Sequence, residues 1–297
     1  MTASIPDFIR ENSEPLEPNP TAELPKLTEL SDIRAVLFDV YGTMLVSGAG
    51  DVGLVSTDDI NQHVVDALSD VDVEVEDWFE DTSELFRMTI EIHQQQRQDE
   101  GGDVPEVDIL EVWRDVVESL SDHAAIDVEN LMAIDFKRLA VAYEARVNPV
   151  WPMAELEECL EGCHHANTHL GIISNAQFFT PQIFPALMGR SLEELGFDPD
   201  LQIFSYRHLE AKPGRFLFDH AVQQLAQCET WPEQCLFIGN DMLNDIWPAQ
   251  EAGFRTALFA GDERSLRKRD GDPRVAGVEP DLVLTSLGQL RECIISS

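Results

Sequence analysis

Basic residues are scarce. Lysine occurs four times in 297 residues, at Lys26, Lys137, Lys212 and Lys268, and Lys plus Arg number 20 against 56 Asp plus Glu. The formal charge of −36 repels nucleic acid and anionic membranes, so neither is an expected partner. So acidic a surface favours solubility and suits a saline or acidic habitat. No apolar run approaches the roughly 20 residues of a membrane span, and no basic stretch followed by an apolar one opens the chain, so no signal peptide is expected. Cysteine is few and odd in number, five in all. That predicts reduced thiols and a cytoplasmic home, not a disulfide framework. Internal repeats are absent.

The 43% hydrophobic content suffices for one large domain or for a core with an insertion. Residues 1–30, with Pro6, Pro15, Pro18, Pro20 and Pro25 among polar residues, read as an arm lying over the surface. Residues 31–45 read as a first strand and its turn. From about 48 to 148 the pattern is helical. Val64, Val65 and Leu68 mark one face, Trp78, Phe79, Leu85 and Phe86 another, and Ile109 to Leu120 a third. Leu131–Val147 reads as one helix. Pro149 and Pro152 end the insertion, because two prolines so close together break a helix. Strand and helix then alternate: strands at Leu170–Ile173, Gln202–Phe204, Cys235–Ile238, Thr256–Phe259 and Asp281–Leu284, helices at Phe216–Leu225 and Pro248–Ala252. Strands spaced by helices predict an α/β fold with a doubly wound parallel sheet.

Asp39 ends the apolar run Ala35-Val36-Leu37-Phe38 and precedes Val40-Tyr41-Gly42-Thr43. Such a run suits a central parallel strand, and a carboxylate at its C-terminal end sits where open α/β sheets bind ligands. There it can attack an electrophile; alone, it equally well caps a turn. Three further clusters close or follow hydrophobic runs: Ile173-Ser174-Asn175, Lys212-Pro213, and Gly239-Asn240-Asp241-Met242-Leu243-Asn244-Asp245. A hydroxyl and amides at a strand end can bind an anionic oxygen. A lysine in so lysine-poor a chain can neutralise Asp39 and a bound anion. Asp241 and Asp245 share a short loop, suited to magnesium or simply to helix capping.

These four motifs, in this order, resemble those of the haloacid dehalogenase-like hydrolase superfamily, over about residues 31–292. The resemblance implies a Rossmann-like core (31–47 and 149–297), a helical cap domain (48–148) that closes over substrate, and an N-terminal arm (1–30). It implies a Mg²⁺-dependent phosphatase of a small anionic, phosphorylated metabolite. In that reading Asp39 forms an aspartyl-phosphate, and Mg²⁺ lies between Asp39, the Tyr41 carbonyl and Asp241. Lys212 and Tyr41 complete the catalytic set, and Thr43, Ser174, Asn175, Asn240 and Asp245 face the substrate, with Asp245 orienting Lys212 or the metal.

Two positions depart from the family's phosphatase pattern. Asn240 stands where an acid usually follows the glycine. Tyr41 stands where most of the phosphatases have a second Asp, and a phenol with a pKa near 10 is a poor carboxylate substitute. The Asp-x-Tyr-Gly-Thr variant instead resembles metal-free 2-haloacid dehalogenases, which need no acid because halide leaves unprotonated. Their cap arginine has a candidate counterpart in Arg87, read here as solvated. A third alternative is a binding protein whose catalysis has decayed at position 41. Cys159, Cys163, His164, His165 and His169 cluster like zinc ligands, but read better as helix packing. Substrate and oligomeric state are not legible.

Overall fold

The computed structural model describes residues 4–49, 57–76, 78–127 and 131–294. The arm begins with a helix that the proline count hides. α1 (Ile5–Glu11) starts on the Ser4 cap with Pro6 in its first turn, and it buries Phe8 and Ile9. The arm then runs extended. Lys26 pairs antiparallel with Val283, and Leu30 pairs with Ile294.

The four-residue apolar run forms β1 (Ala35–Phe38), fully buried as a strand covered on both faces must be. β2 (Leu45–Ser47) follows the turn. The insertion supplies α2 (Thr57–Ser69), α3 (Thr82–Asp99), α4 (Ile109–Asp122) and α5 (Phe136–Val147), and β3 (Val150–Pro152) returns to pair antiparallel with β2. This two-stranded ribbon, not anticipated from sequence, joins the cap to the core. The helix expected over Leu131–Val147 starts only at Phe136: the Asp135 side chain accepts from the Arg138 N–H at 3.0 Å and caps it, leaving Leu131–Ala133 as a separate turn. Trp78 lies outside the helices and exposed. The expected start of the cap adjoins residues 50–56, outside those described.

Inside the cap, α4 buries Val112, Trp113, Val116, Val117 and Leu120, the stripe that helical spacing dictates. Trp113 packs against Phe86 and, edge-on, against Tyr143, ring centroids 4.5 and 5.4 Å away. Truncating such a residue to alanine costs about 3–5 kcal/mol.

The core continues with α6 (Leu156–His165), β4 (His169–Ser174), α7 (Thr180–Met188), β5 (Phe197–Phe204), α8 (Ser205–His208), α9 (Phe216–Gln227), β6 (Cys235–Gly239), α10 (Trp247–Glu251), β7 (Arg255–Phe259), β8 (Leu282–Leu284) and α11 (Leu290–Cys293). The sheet is six-stranded and parallel throughout, in the order β5-β4-β1-β6-β7-β8. Alternation along β1 sends Val36 and Phe38 to one core and Ala35 and Leu37 to the other. α7 was not anticipated. α1 packs on α7 and α5, so the arm touches both core and cap. Cys159 and Cys163 are buried on α6 as packing residues, and all five cysteines are unpaired. Among the described residues no helix is long and apolar enough to cross a membrane.

Candidate active site

β1 lies between β4 and β6, with Phe38 opposite both Ile172 and Ile238. The register therefore brings Asp39, Ser174-Asn175 and Asn240 to one edge of the sheet, at the C-terminal ends of adjacent parallel strands. The chain turns away from Asp39 through Gly42, whose φ of +80° and contact with Ser265 and Asn240 leave no room for a side chain. Gly239 is required for a different reason: a Cβ there would lie 2.4 Å from the Asp245 carboxyl carbon.

Lys212 is the hub. Its Nζ donates to Asp39 Oδ1 at 2.7 Å, to Asp245 Oδ1 at 2.5 Å and to the Ile173 carbonyl at 3.2 Å, all buried. Burial alone would lower the Lys212 pKa, but the charges of Asp245 and Asp39 outweigh it and hold the ammonium above its usual range. Burial pushes the Asp245 carboxyl up, against the pull of Lys212. Its second oxygen accepts from the Asp241 N–H at 2.9 Å.

Asn175, expected to face substrate, lines the cavity that holds Asp39, and its amide is tied to the lysine loop. Its Oδ1 accepts from the Lys212 N–H at 2.7 Å and its Nδ2 donates to the Lys212 carbonyl at 3.1 Å. It positions the lysine backbone across a cis Lys212-Pro213 bond. Asn240 is committed likewise: its Oδ1 accepts from Thr43 Oγ1 at 3.1 Å, and its Nδ2 donates to the Ser265 carbonyl at 2.6 Å. Thr43 therefore braces the turn through Asn240. Ser174 is fully buried at the end of β4, its hydroxyl 3.4 Å from the Asn175 carbonyl.

Tyr41 commits its hydroxyl to the core. Its hydroxyl lies 2.8 Å from Thr180 Oγ1 on α7. Burial, then the nearby Glu144 charge, raises its pKa well above the phenolic range. Two of the cavities it lines bear on the chemistry. One, about 180 Å³, holds Asp39, Lys212, Asp241, Asp245, Arg267 and Arg269. The other, about 360 Å³, lies toward the cap and holds Glu106, Glu144, Asn148 and Gln177, with no Lys or Arg in its wall among the described residues. Burial pushes the Glu144 carboxyl up to about 7. Burial also raises Glu106, which accepts from Ser205 Oγ at 2.7 Å.

The cap is docked on the lysine loop. The Glu106 N–H donates to the Leu209 carbonyl at 3.1 Å, and the Ala211 N–H donates to the Val104 carbonyl at 2.8 Å. Arg87 is exposed and paired with Glu84 and Glu91, as a solvated residue should be.

Asp241, the expected metal ligand, is engaged by an arginine. Arg269 Nε lies 3.1 Å from each of its oxygens, and Nη2 lies 2.6 Å from Oδ2. Oδ1 also accepts from the Leu243 N–H at 2.8 Å. Arg269 holds Asp241, and Lys212 holds Asp245 and one oxygen of Asp39, so among the described residues magnesium, which demands near-ideal octahedral oxygen geometry, would find the second Asp39 oxygen, the Asn244 amide oxygen and backbone carbonyls. The residues in this arrangement do not fit that ion. Arg267, Arg269 and Ser265 escaped the sequence reading. A usable signal was present: four of the chain's 20 basic residues fall within Arg264–Arg269.

A model of the haloacid dehalogenase-like hydrolase family matches residues 33–253. Among solved structures the fold is similar to a 2-haloacid dehalogenase from Pseudomonas syringae pv. Tomato DC3000 (18% identical, 88% of this chain and 97% of that one, TM-score 0.56). It is also similar to a HAD phosphatase from Thermococcus onnurineus (17% identical, 88% and 97%, TM-score 0.51). At such identities the likeness concerns fold. No curated protein matches the sequence.

Proposed function

The chain belongs to the haloacid dehalogenase-like hydrolases, and from that membership we propose that it is a phosphoric monoester hydrolase working through Asp39. The observation that carries this reading is the buried Lys212 ammonium, 2.7 Å from Asp39 and in one cavity with Arg267 and Arg269. A carboxylate can attack a phosphate dianion only where cations offset the repulsion. Asp39 Oδ attacks phosphorus, the ester P–O bond breaks, and the alkoxide departs and takes up a proton from solvent. Water then attacks the phosphorus of the aspartyl-phosphate, which releases inorganic phosphate and regenerates the carboxylate. Lys212, fixed through Asn175 and Asp245, holds charge beside both steps. A small-molecule substrate is supported by the second cavity, about 360 Å³, which lies between cap residues Glu106 and Glu144 and core residues Asn175 and Gln177.

A phosphate ester is favoured over a haloacid by the cap-side cavity. Glu106 and Glu144 line it with no basic side chain among the described residues, so a departing halide meets no counter-charge there, whereas an alkoxide loses its charge by taking up a proton. A 2-haloacid dehalogenase is the second reading, favoured by Tyr41, which brings no second carboxylate. Aryl phosphates are the first substrates to try, because their leaving group departs without help from an acid. The expected result is phosphate release by the wild type and none by Asp39→Asn. Chloride release from 2-chloropropionate, with no aryl phosphate hydrolysis, refutes the proposal.

A further inference from the structure

We propose that Arg269 takes the place of a divalent cation: clamped on Asp241, its guanidinium, with the Ser265 hydroxyl, holds and neutralises the phosphoryl group, so that the site turns over without metal. The inference rests on the phosphomonoester reading above.

Four observations converge. The Asp241 carboxylate is 6% exposed and takes three N–H···O contacts from Arg269. Charge-assisted forks of this kind are the strong ones, and a metal would have to displace the arginine first. Placement is the second point. Among the described residues, Lys212, Arg267 and Arg269 line the same cavity as Asp39, so side-chain cations stand where a phosphoryl group would meet the nucleophile. Third, Ser265 Oγ is buried in the wall of that cavity and has no hydrogen-bond partner. A buried hydroxyl without a partner is uncommon, and a phosphoryl oxygen would satisfy it. Fourth, Arg269 holds a left-handed backbone, φ +53°, which a non-glycine residue adopts only when its surroundings demand it.

The loop that carries these residues is fixed from both sides. The Arg267 N–H donates to the Asn240 carbonyl at 2.9 Å, and the Met242 N–H donates to the Arg267 carbonyl at 2.8 Å. On the far side, Asp262 accepts from the Asn19 N–H at 3.0 Å, and the Glu263 N–H donates to the Asn19 carbonyl at 2.8 Å. The N-terminal arm thus braces an active-site wall.

The test uses the full chain, stripped with EDTA. Aryl phosphate hydrolysis is followed in EDTA and in Mg²⁺, and Mn²⁺ binding is followed by paramagnetic resonance. Wild-type rates should agree within about twofold in the two buffers, with Mn²⁺ bound no tighter than millimolar. Arg269→Gln should lose at least about a hundredfold in rate and bind Mn²⁺ at least about tenfold more tightly, because Asp241 is released. Arg269→Lys, which keeps the charge, should lose less rate. Ser265→Ala should weaken inhibition by inorganic phosphate by about tenfold. Micromolar Mn²⁺ binding by the wild type, strong Mg²⁺ stimulation, or an unimpaired Arg269→Gln each overturns the proposal. If the wild type hydrolyses no phosphate ester, the phosphatase reading fails, and the Mn²⁺ comparison alone still decides whether Arg269 excludes metal.

Discussion

Replacing Glu144 by glutamine removes one titratable group and little else. The side chain projects from α5 into the cap-side cavity, where Asn148 Nδ2 donates to Oε1 at 3.2 Å. A glutamine carbonyl accepts the same bond. Burial raises the carboxyl from its ordinary 4.5 to about 7. The folded protein therefore binds this proton more tightly than the unfolded chain does. Its contribution to stability is full below about 4.5 and is lost as pH rises through about 7. The difference corresponds to roughly 3 kcal/mol. For a chain of this length that is on the order of 5 °C in Tm. Thermal unfolding of wild type and Glu144→Gln, at fixed ionic strength from pH 4.5 to 8.5, measures it. The two should melt together at pH 4.5. The variant should melt progressively higher as pH rises, by about 5 °C at pH 8, and the gap should then level off. A gap independent of pH refutes the reasoning, because it would mean that the carboxyl titrates alike in folded and unfolded chains.

Lys212→Met leaves Asp39 and Asp245 buried without their cation; denaturant unfolding should show a loss of about 3–5 kcal/mol, and aryl phosphate hydrolysis should be abolished. Asn175→Ala removes both bonds to the Lys212 backbone, so kcat should fall by about 10–100-fold while KM moves little, as steady-state kinetics will read. Glu106→Ala cuts the Ser205 contact where the cap lands; hydrogen exchange of the Glu106 and Ala211 amides should speed up, with the sheet amides unchanged. Because the −36 charge repels itself and salt screens it, molar KCl should raise the unfolding temperature, and an unchanged or lowered one would discard the saline-habitat reading.

The strands that carry the site were readable because a parallel sheet covered on both faces demands continuous apolar runs, and Ala35–Phe38 and Cys235–Ile238 stand out as such. The helical insertion was readable from spacing, as α4 illustrates. β5 was read as three residues and spans Phe197–Phe204, since its first half carries Asp198, Pro199 and Asp200 and lacks the apolar signature. α1 was hidden by the prolines around it, and β2 with β3 by their three-residue length.

The sequence by itself determined which residues gather: strand ends carry Asp39, Ser174 and Gly239, and alternation of strand and helix puts those ends at one edge. Only the tertiary structure decided what each polar group faces. Asn175 and Asn240 line the Asp39 cavity, and each also ties its amide to neighbouring chain. Asp241 was expected to meet a metal, yet meets Arg269, 28 residues further on. The reason is physical. Backbone periodicity is local and leaves its trace in neighbouring residues, whereas a side-chain hydrogen bond depends on a few ångströms of separation between segments that sequence order does not relate.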